Sequence, residues 1–288
     1  MTDTALRRFE QPAPHTSAAA LVLRWSARLL VAASWASAAL FGLYILAFYG
    51  GVALGDMGDW NHILPRLYEP ATPAATLAIG AHFVTGGVLL VLGPIQLIGA
   101  VRRHWPALHR WTGRTYVLAA AIAGVGGLGF ILAKGTVGGT AMDLGFGLYG
   151  ALMVVAAAEA YRHARARRFE RHRIWAMRLY ALAVGSWLYR MDYGFWQLFT
   201  GGIGRTADFR GTFDVVMCFA FYLPNLLVAE LFLRARRAPD HPGFQLAAAG
   251  VLTLAALLVL AGSYFFTVYI WWPGILHGVA GQPLPGSA

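Results

Sequence analysis

The residues of this chain best suited to chemistry fall in two similar stretches. These are His109-Arg110-Trp111-Thr112-Gly113-Arg114-Thr115-Tyr116 and His172-Arg173-Ile174-Trp175-Ala176-Met177-Arg178-Leu179-Tyr180. Each reads His-Arg, a short spacer, then Arg-x-Tyr, a weak internal repeat. Two imidazoles on helices of one bundle can hold the iron of a b-type haem axially, and Arg114 and Arg178 would neutralise the propionates. The same residue types also anchor helix ends at lipid headgroups, so haem b and plain interfacial anchoring are both admitted by the pattern.

A second group lies nearer the other side of the chain's apolar runs. Counting 1.5 Å per residue puts His82 about 13 Å and Arg190 about 15 Å below the same surface. An arginine at that depth costs at least about 2.5 kcal/mol unless it faces protein, water or a counter-ion. Asp192 follows Arg190 by two residues and points to the other side of an ideal helix. Asp214, and after it Asp143, are therefore the expected partners, at the starts of the two helices that enter from that surface. His82, Arg190, Asp214 and Asp143 would line a polar pocket for a small anion or a quinone headgroup. A purely structural buried ion pair is the other reading of the same residues.

Several chemistries are excluded. A single cysteine, Cys218, allows neither an intrachain disulfide nor a CxxC pair nor a thiolate metal cluster. There is no HExxH, P-loop or GxSxG, and no carboxylate pair at helical spacing. His62, His104, His163, His241 and His277 fall in loops or at interfaces, and His15 in the N-terminal tail.

The elements that must position these residues follow from composition. With 58% hydrophobic and 12% charged residues the chain is of membrane class. Its net charge of +10 sits in short blocks between apolar runs instead of on one solvated face, so nucleic acid is not its partner; the lipid bilayer is. Seven runs are long enough to span, at roughly 25–49, 73–100, 112–134, 141–161, 174–199, 211–234 and 244–270. Residues 1–24 read as a cytoplasmic disordered tail, 25–270 as one transmembrane domain with its core at 73–235, and 271–288 as an outer tail. Residues 50–72, with Trp60, Pro65 and Tyr68, read as an interfacial or re-entrant segment. Pro94 and Pro224 should kink their helices, and the glycines of 124–129 and 145–150 should let helices approach closely. The fold class is thus an all-α, polytopic membrane bundle of about seven helices. Of the basic residues, 17 lie at the ends or loops of one side and four on the other. That asymmetry places the N-terminus in the cytoplasm and the C-terminus outside.

His82, Gly93-Pro94-x-Gln96, the two His-Arg stretches, Arg190, and Asn225 to Glu230 resemble the bacterial membrane-protein family catalogued as domain of unknown function 2306, over about residues 75–235. The resemblance implies a multi-pass protein of the bacterial inner membrane and carries no activity. A more distant similarity is to transmembrane di-haem cytochromes of the b type. Here the fourth run offers only His163, at its inner end, so a second haem would lack a ligand. Three functions fit these observations: a haem- or quinone-linked electron-transfer protein, a transporter or small-ligand channel, and a non-enzymatic assembly, sensory or lipid-interaction protein.

Overall fold

A computed structural model describes residues 17–63 and 67–282, with backbone alone at His62 and Ile63. Among the described residues every regular element is helical. Six helical segments of 25 to 39 residues are long and apolar enough to cross a membrane. They are α1 (Ala18–Ala53), α3 (Pro73–Leu97), α5 (Pro106–Lys134), α6 (Gly139–Arg165), the broken pair α8 (Thr212–Ala220) and α9 (Leu223–Arg236), and α10 (Pro242–Phe266) with its extension α11 (Trp272–Ala280). Their outward faces carry Leu77, Leu132, Leu144 and Leu254, all exposed. Apolar side chains on the outside of a packed bundle are what lipid, not water, solvates. The seventh pass, α7 (Phe169–Thr200), spans 32 residues but is the most polar of the long helices, carrying Arg178, Arg190 and Asp192. It packs against α1, α3, α6, α9 and α10.

Around α7 the passes adjoin in chain order, α1 to α3, α3 to α5, α5 to α6, and α9 to α10, with α10 closing back on α1. Glycines set the closest crossings. A Cβ on Gly124 would come within 3.0 Å of Gly150 O, and one on Gly278 would meet the Ala47 carbonyl. The second contact joins α11 to α1, where buried Trp271 also packs on Phe41 with ring centroids 5.5 Å apart.

Several boundaries differ from those the sequence suggests. Helix α1 begins at Ala18, because Ser17 Oγ accepts from Ala20 N at 3.2 Å and Leu23 packs into a cluster with Ala235 and Ala248. Residues 18–24 are therefore helix, while residues 1–16, with Arg7, Arg8 and His15, lie outside the described residues. The last pass continues beyond residue 270 through a π-helical turn, Thr267–Trp271, into α11, so residues 272–280 are helix packed on α1 and not a tail. Helices α5 and α7 start at Pro106 and Phe169, six and five residues earlier than the apolar runs, which makes His109 and His172 each the fourth residue of its helix. Pro94 is followed by the end of α3 at Leu97 and a turn at Ile98 into the short α4 (Gly99–His104). At Pro224 the helix is broken instead of kinked: Phe221 and Tyr222 unwind, Pro224 occupies the first turn of α9, and Phe221 O accepts from Asn225 Nδ2 at 2.8 Å.

The segment after α1 is ordered where described. A 3-10 turn (Met57–Asp59) and the short α2 (Trp60–Ile63) fold back on the bundle. Trp60 is buried and donates its indole N–H to Tyr49 O at 3.2 Å. Pro65 and Arg66 of this segment lie outside the described residues.

Candidate functional site

At the end of α7 nearer Phe169, the two repeated stretches share one architectural joint. Gly93 sits between the rings of Tyr116 and Tyr180, so that a Cβ there would lie 3.0 and 3.1 Å from them. Three residues on, the Gln96 amide accepts from Thr112 Oγ1 at 2.6 Å and donates to His109 Nδ1 at 3.1 Å. The Nδ1–H of His172 donates to Ala160 O at 2.9 Å, since a carbonyl can only accept. His109 and His172 lie close enough for their charges to interact, and α5 and α7 face each other diagonally across the ring made with α3 and α6. The two arginines expected at haem propionates are committed elsewhere. Arg178 Nη2 pairs with Glu230 Oε2 at 3.2 Å and stacks over Trp175, while Arg114 is exposed and stacks over Trp111. Of the residues chosen for a haem, the bundle brings the histidines towards one another and leaves Arg114 and Arg178 apart from them.

The second group is arranged differently from the expectation. Asp214 is fully buried at the start of α8, where its carboxylate accepts from Tyr193 Oη at 2.8 Å, Thr206 N at 2.9 Å and Gly211 N at 3.0 Å. It is a helix cap that closes the loop from α7, and its oxygens are used by that loop. Asp143 likewise accepts from Thr136 N at 2.6 Å, closing the turn between α5 and α6. Neither aspartate pairs with Arg190. The expected set His82, Arg190, Asp214 and Asp143 is thereby divided into one neighbouring pair, His82 and Arg190, and two loop caps.

Arg190 is met instead by aromatic and polar groups of α1 and α3. Its guanidinium donates to Ser186 O at 2.8 Å, lies 5.1 Å over the Phe41 ring, and sits beside the Tyr49 hydroxyl. His82 and Tyr44 are near enough to feel its charge. The ring of His82 is oriented by α5: its Nδ1–H donates to Ala123 O at 2.8 Å, and Gly127 leaves the room for it, a Cβ there falling 3.3 Å from Nδ1. In neutral His82 the basic Nε2 is therefore the nitrogen left for a ligand. Trp60 and Phe83 pack against Tyr49 beside this group. No Asp or Glu among the described residues lies within ion-pair distance of Arg190. The same α1–α7 region holds buried polar atoms without a hydrogen-bond partner, Ser37 Oγ and Trp187 Nε1.

Phe41, Tyr44 and Tyr49 are the site residues that sequence reasoning did not find. They belong to the stretch of α1 from Ala38 to Tyr49, which is apolar and aromatic throughout, and no spacing within it marks three residues that turn towards Arg190 on α7.

A bundle with an apolar exterior and an arginine held among its helices defines a polytopic α-helical membrane protein. The chain belongs to the family described as predicted membrane protein (DUF2306), whose profile matches residues 79–233. That span takes in His82, both His-Arg stretches and Arg190, and leaves out α1, α10 and α11. No curated protein and no solved structure matches the chain.

Proposed function

We propose that this protein binds a small anion at Arg190 and His82 and passes it through the bundle, as a transporter or channel of the bacterial inner membrane. The observation that carries the reading is the uncompensated charge of Arg190 within a membrane-spanning helix. A half-buried guanidinium without a carboxylate favours an anionic ligand as its counter-charge, and partial desolvation strengthens that attraction. The groups around it suit such a ligand. Ser37 Oγ and Trp187 Nε1 can both donate, and donors select anions over cations. The electron-transfer reading asks more of the inner joint than the joint offers, since both arginines that would meet haem propionates have other partners.

Anion flux into proteoliposomes tests this directly, with chloride, nitrate, formate and acetate as the probes. Wild-type protein should pass at least one of them, and Arg190→Gln should reduce that flux at least about 10-fold while its circular dichroism is unchanged. The quinone reading is favoured by the bare His82 Nε2 beside an arginine donor, which suits a quinol hydroxyl and a quinone carbonyl. A wild-type protein that passes none of the four anions, but binds a short-chain quinone in a manner lost in Arg190→Gln and His82→Ala, would replace the anion reading with that one.

A further inference from the structure

Two residues beyond Arg190, the opposite face of α7 carries a different charge into a different space. Asp192 faces a groove of about 790 Å³ between α7, α8 and α9, with Phe195, Trp196, Phe199, Phe213 and Asn225 among its lining residues. Among the described residues the Asp192 carboxylate has no hydrogen bond and no ion pair. It lies eight residues before the end of α7 at Thr200, about 12 Å along the helix. Arg190 cannot serve it, because the two side chains leave the helix about 200° apart. We propose that this groove is a binding site for an organic cation with an apolar body, held by Asp192 and the surrounding aromatic rings.

Charge complementarity selects the occupant. An unpaired aspartate in a spanning helix is costly, and a ligand of opposite sign removes the cost. The walls add to the same preference, since ring faces are negative and attract cations. Trp196 and Phe213 stack at 4.4 Å with planes 11° apart, which presents a flat aromatic surface at the groove. A metal ion is disfavoured by the shortage of anionic oxygen ligands, since Asp192 is the one carboxylate of the lining. The volume falls in the range of sites for small organic molecules. Phe199 is 76% and Val216 62% exposed at the groove, apolar walls that suit a ligand with a lipophilic body.

Equilibrium binding of tritiated tetraphenylphosphonium to the full chain in phosphatidylcholine nanodiscs tests the site. Wild-type protein should bind it saturably at one site per chain, and Asp192→Asn should weaken binding at least about 10-fold. Because Asp192 has no partner to lose, the variant should unfold at the wild-type temperature or above. Phe199→Leu, exposed and outside any hydrogen bond, should weaken binding about 2- to 5-fold and provides a second variant if the first does not fold. Arg190→Gln should leave the affinity unchanged, which separates this site from the anion site. Equal affinity in Asp192→Asn, partition into the wild-type sample without saturation, or equally tight binding of uncharged tetraphenylmethane would overturn the proposal.

Discussion

Arg190 meets Ser186 O, the Phe41 ring and the Tyr49 hydroxyl, and Asp214 is held by its own loop. The distance of Arg190 from the end of the helix follows from counting residues, and a partner is required by the cost of an isolated charge. The choice of partner depends on which way two helices face, and here α8 spends its aspartate on its own N-terminal loop. A consequence is testable in stability measurements. Asp214→Asn keeps one acceptor oxygen, so either the backbone donors now on Oδ2 or the Tyr193 hydroxyl now on Oδ1 meets an amide NH2, and the charge is lost; it should destabilise by about 2–3 kcal/mol. Arg190→Leu touches none of the same atoms, and the double variant should be additive within about 0.5 kcal/mol in thermal or denaturant unfolding. A coupling well above that size, or rescue of one change by the other, would show that the two side chains share a site after all.

At the scale of elements, the joint between α1 and α11 shows what the apolar runs conceal. The run ending near residue 270 is uninterrupted hydrophobic sequence, and its continuation past Pro273 is a matter of packing: the π turn at Thr267–Trp271 buries Trp271, and Gly274 and Gly278 then let α11 lie directly on Tyr44 and Ala47. This matters to the candidate site because Tyr44, Tyr49 and Phe41 reach Arg190 from the same helix. Gly278→Val would drive a branched side chain into the backbone of α1. Such overpacking should cost about 1–3 kcal/mol and lower the unfolding temperature, with Trp271 fluorescence shifting as its pocket opens. A Gly278→Val protein with wild-type stability and an unshifted Trp271 spectrum would mean that α11 does not hold α1 in place.

For the whole molecule, the arginine-rich ends gather at one end of the bundle. The start of α1 lies against the end of α9 and the start of α10, where Thr253 Oγ1 donates to Ser26 Oγ at 3.0 Å and Gln245 Nε2 to Ala235 O at 3.4 Å. Arg24, Arg28, Arg234, Arg236 and Arg237 therefore share an end. At the other end Asp59 meets His277 at 3.3 Å, and Lys134 meets Glu69 at 2.9 Å. The positive-inside tendency then predicts a cytoplasmic N-terminus and an external C-terminus. Reporter fusions inside residues 162–173 should be active on the cytoplasmic side and fusions after Ala288 on the outer side. A cytoplasmic reporter signal at Ala288 would contradict the seven-pass count.

Membrane class, the number and rough limits of the passes and the uneven distribution of arginine are properties of composition along the chain, and they need no knowledge of which helices touch. The two His-Arg stretches are likewise visible as spacing, although their joint with Gly93 and Gln96 is not, because it is made by three helices at once. Helix limits shifted where a local cap or a proline outweighed hydropathy, as at Ser17 and Pro224. The partners of each polar side chain were decided by the tertiary structure alone. Rotation of a helix about its axis sets whether a charge meets a ring, a loop or a groove, and apolar sequence on all sides leaves that rotation unspecified. Only the packed bundle turns Arg190 towards the aromatic face of α1 and Asp192 towards the groove between α7, α8 and α9.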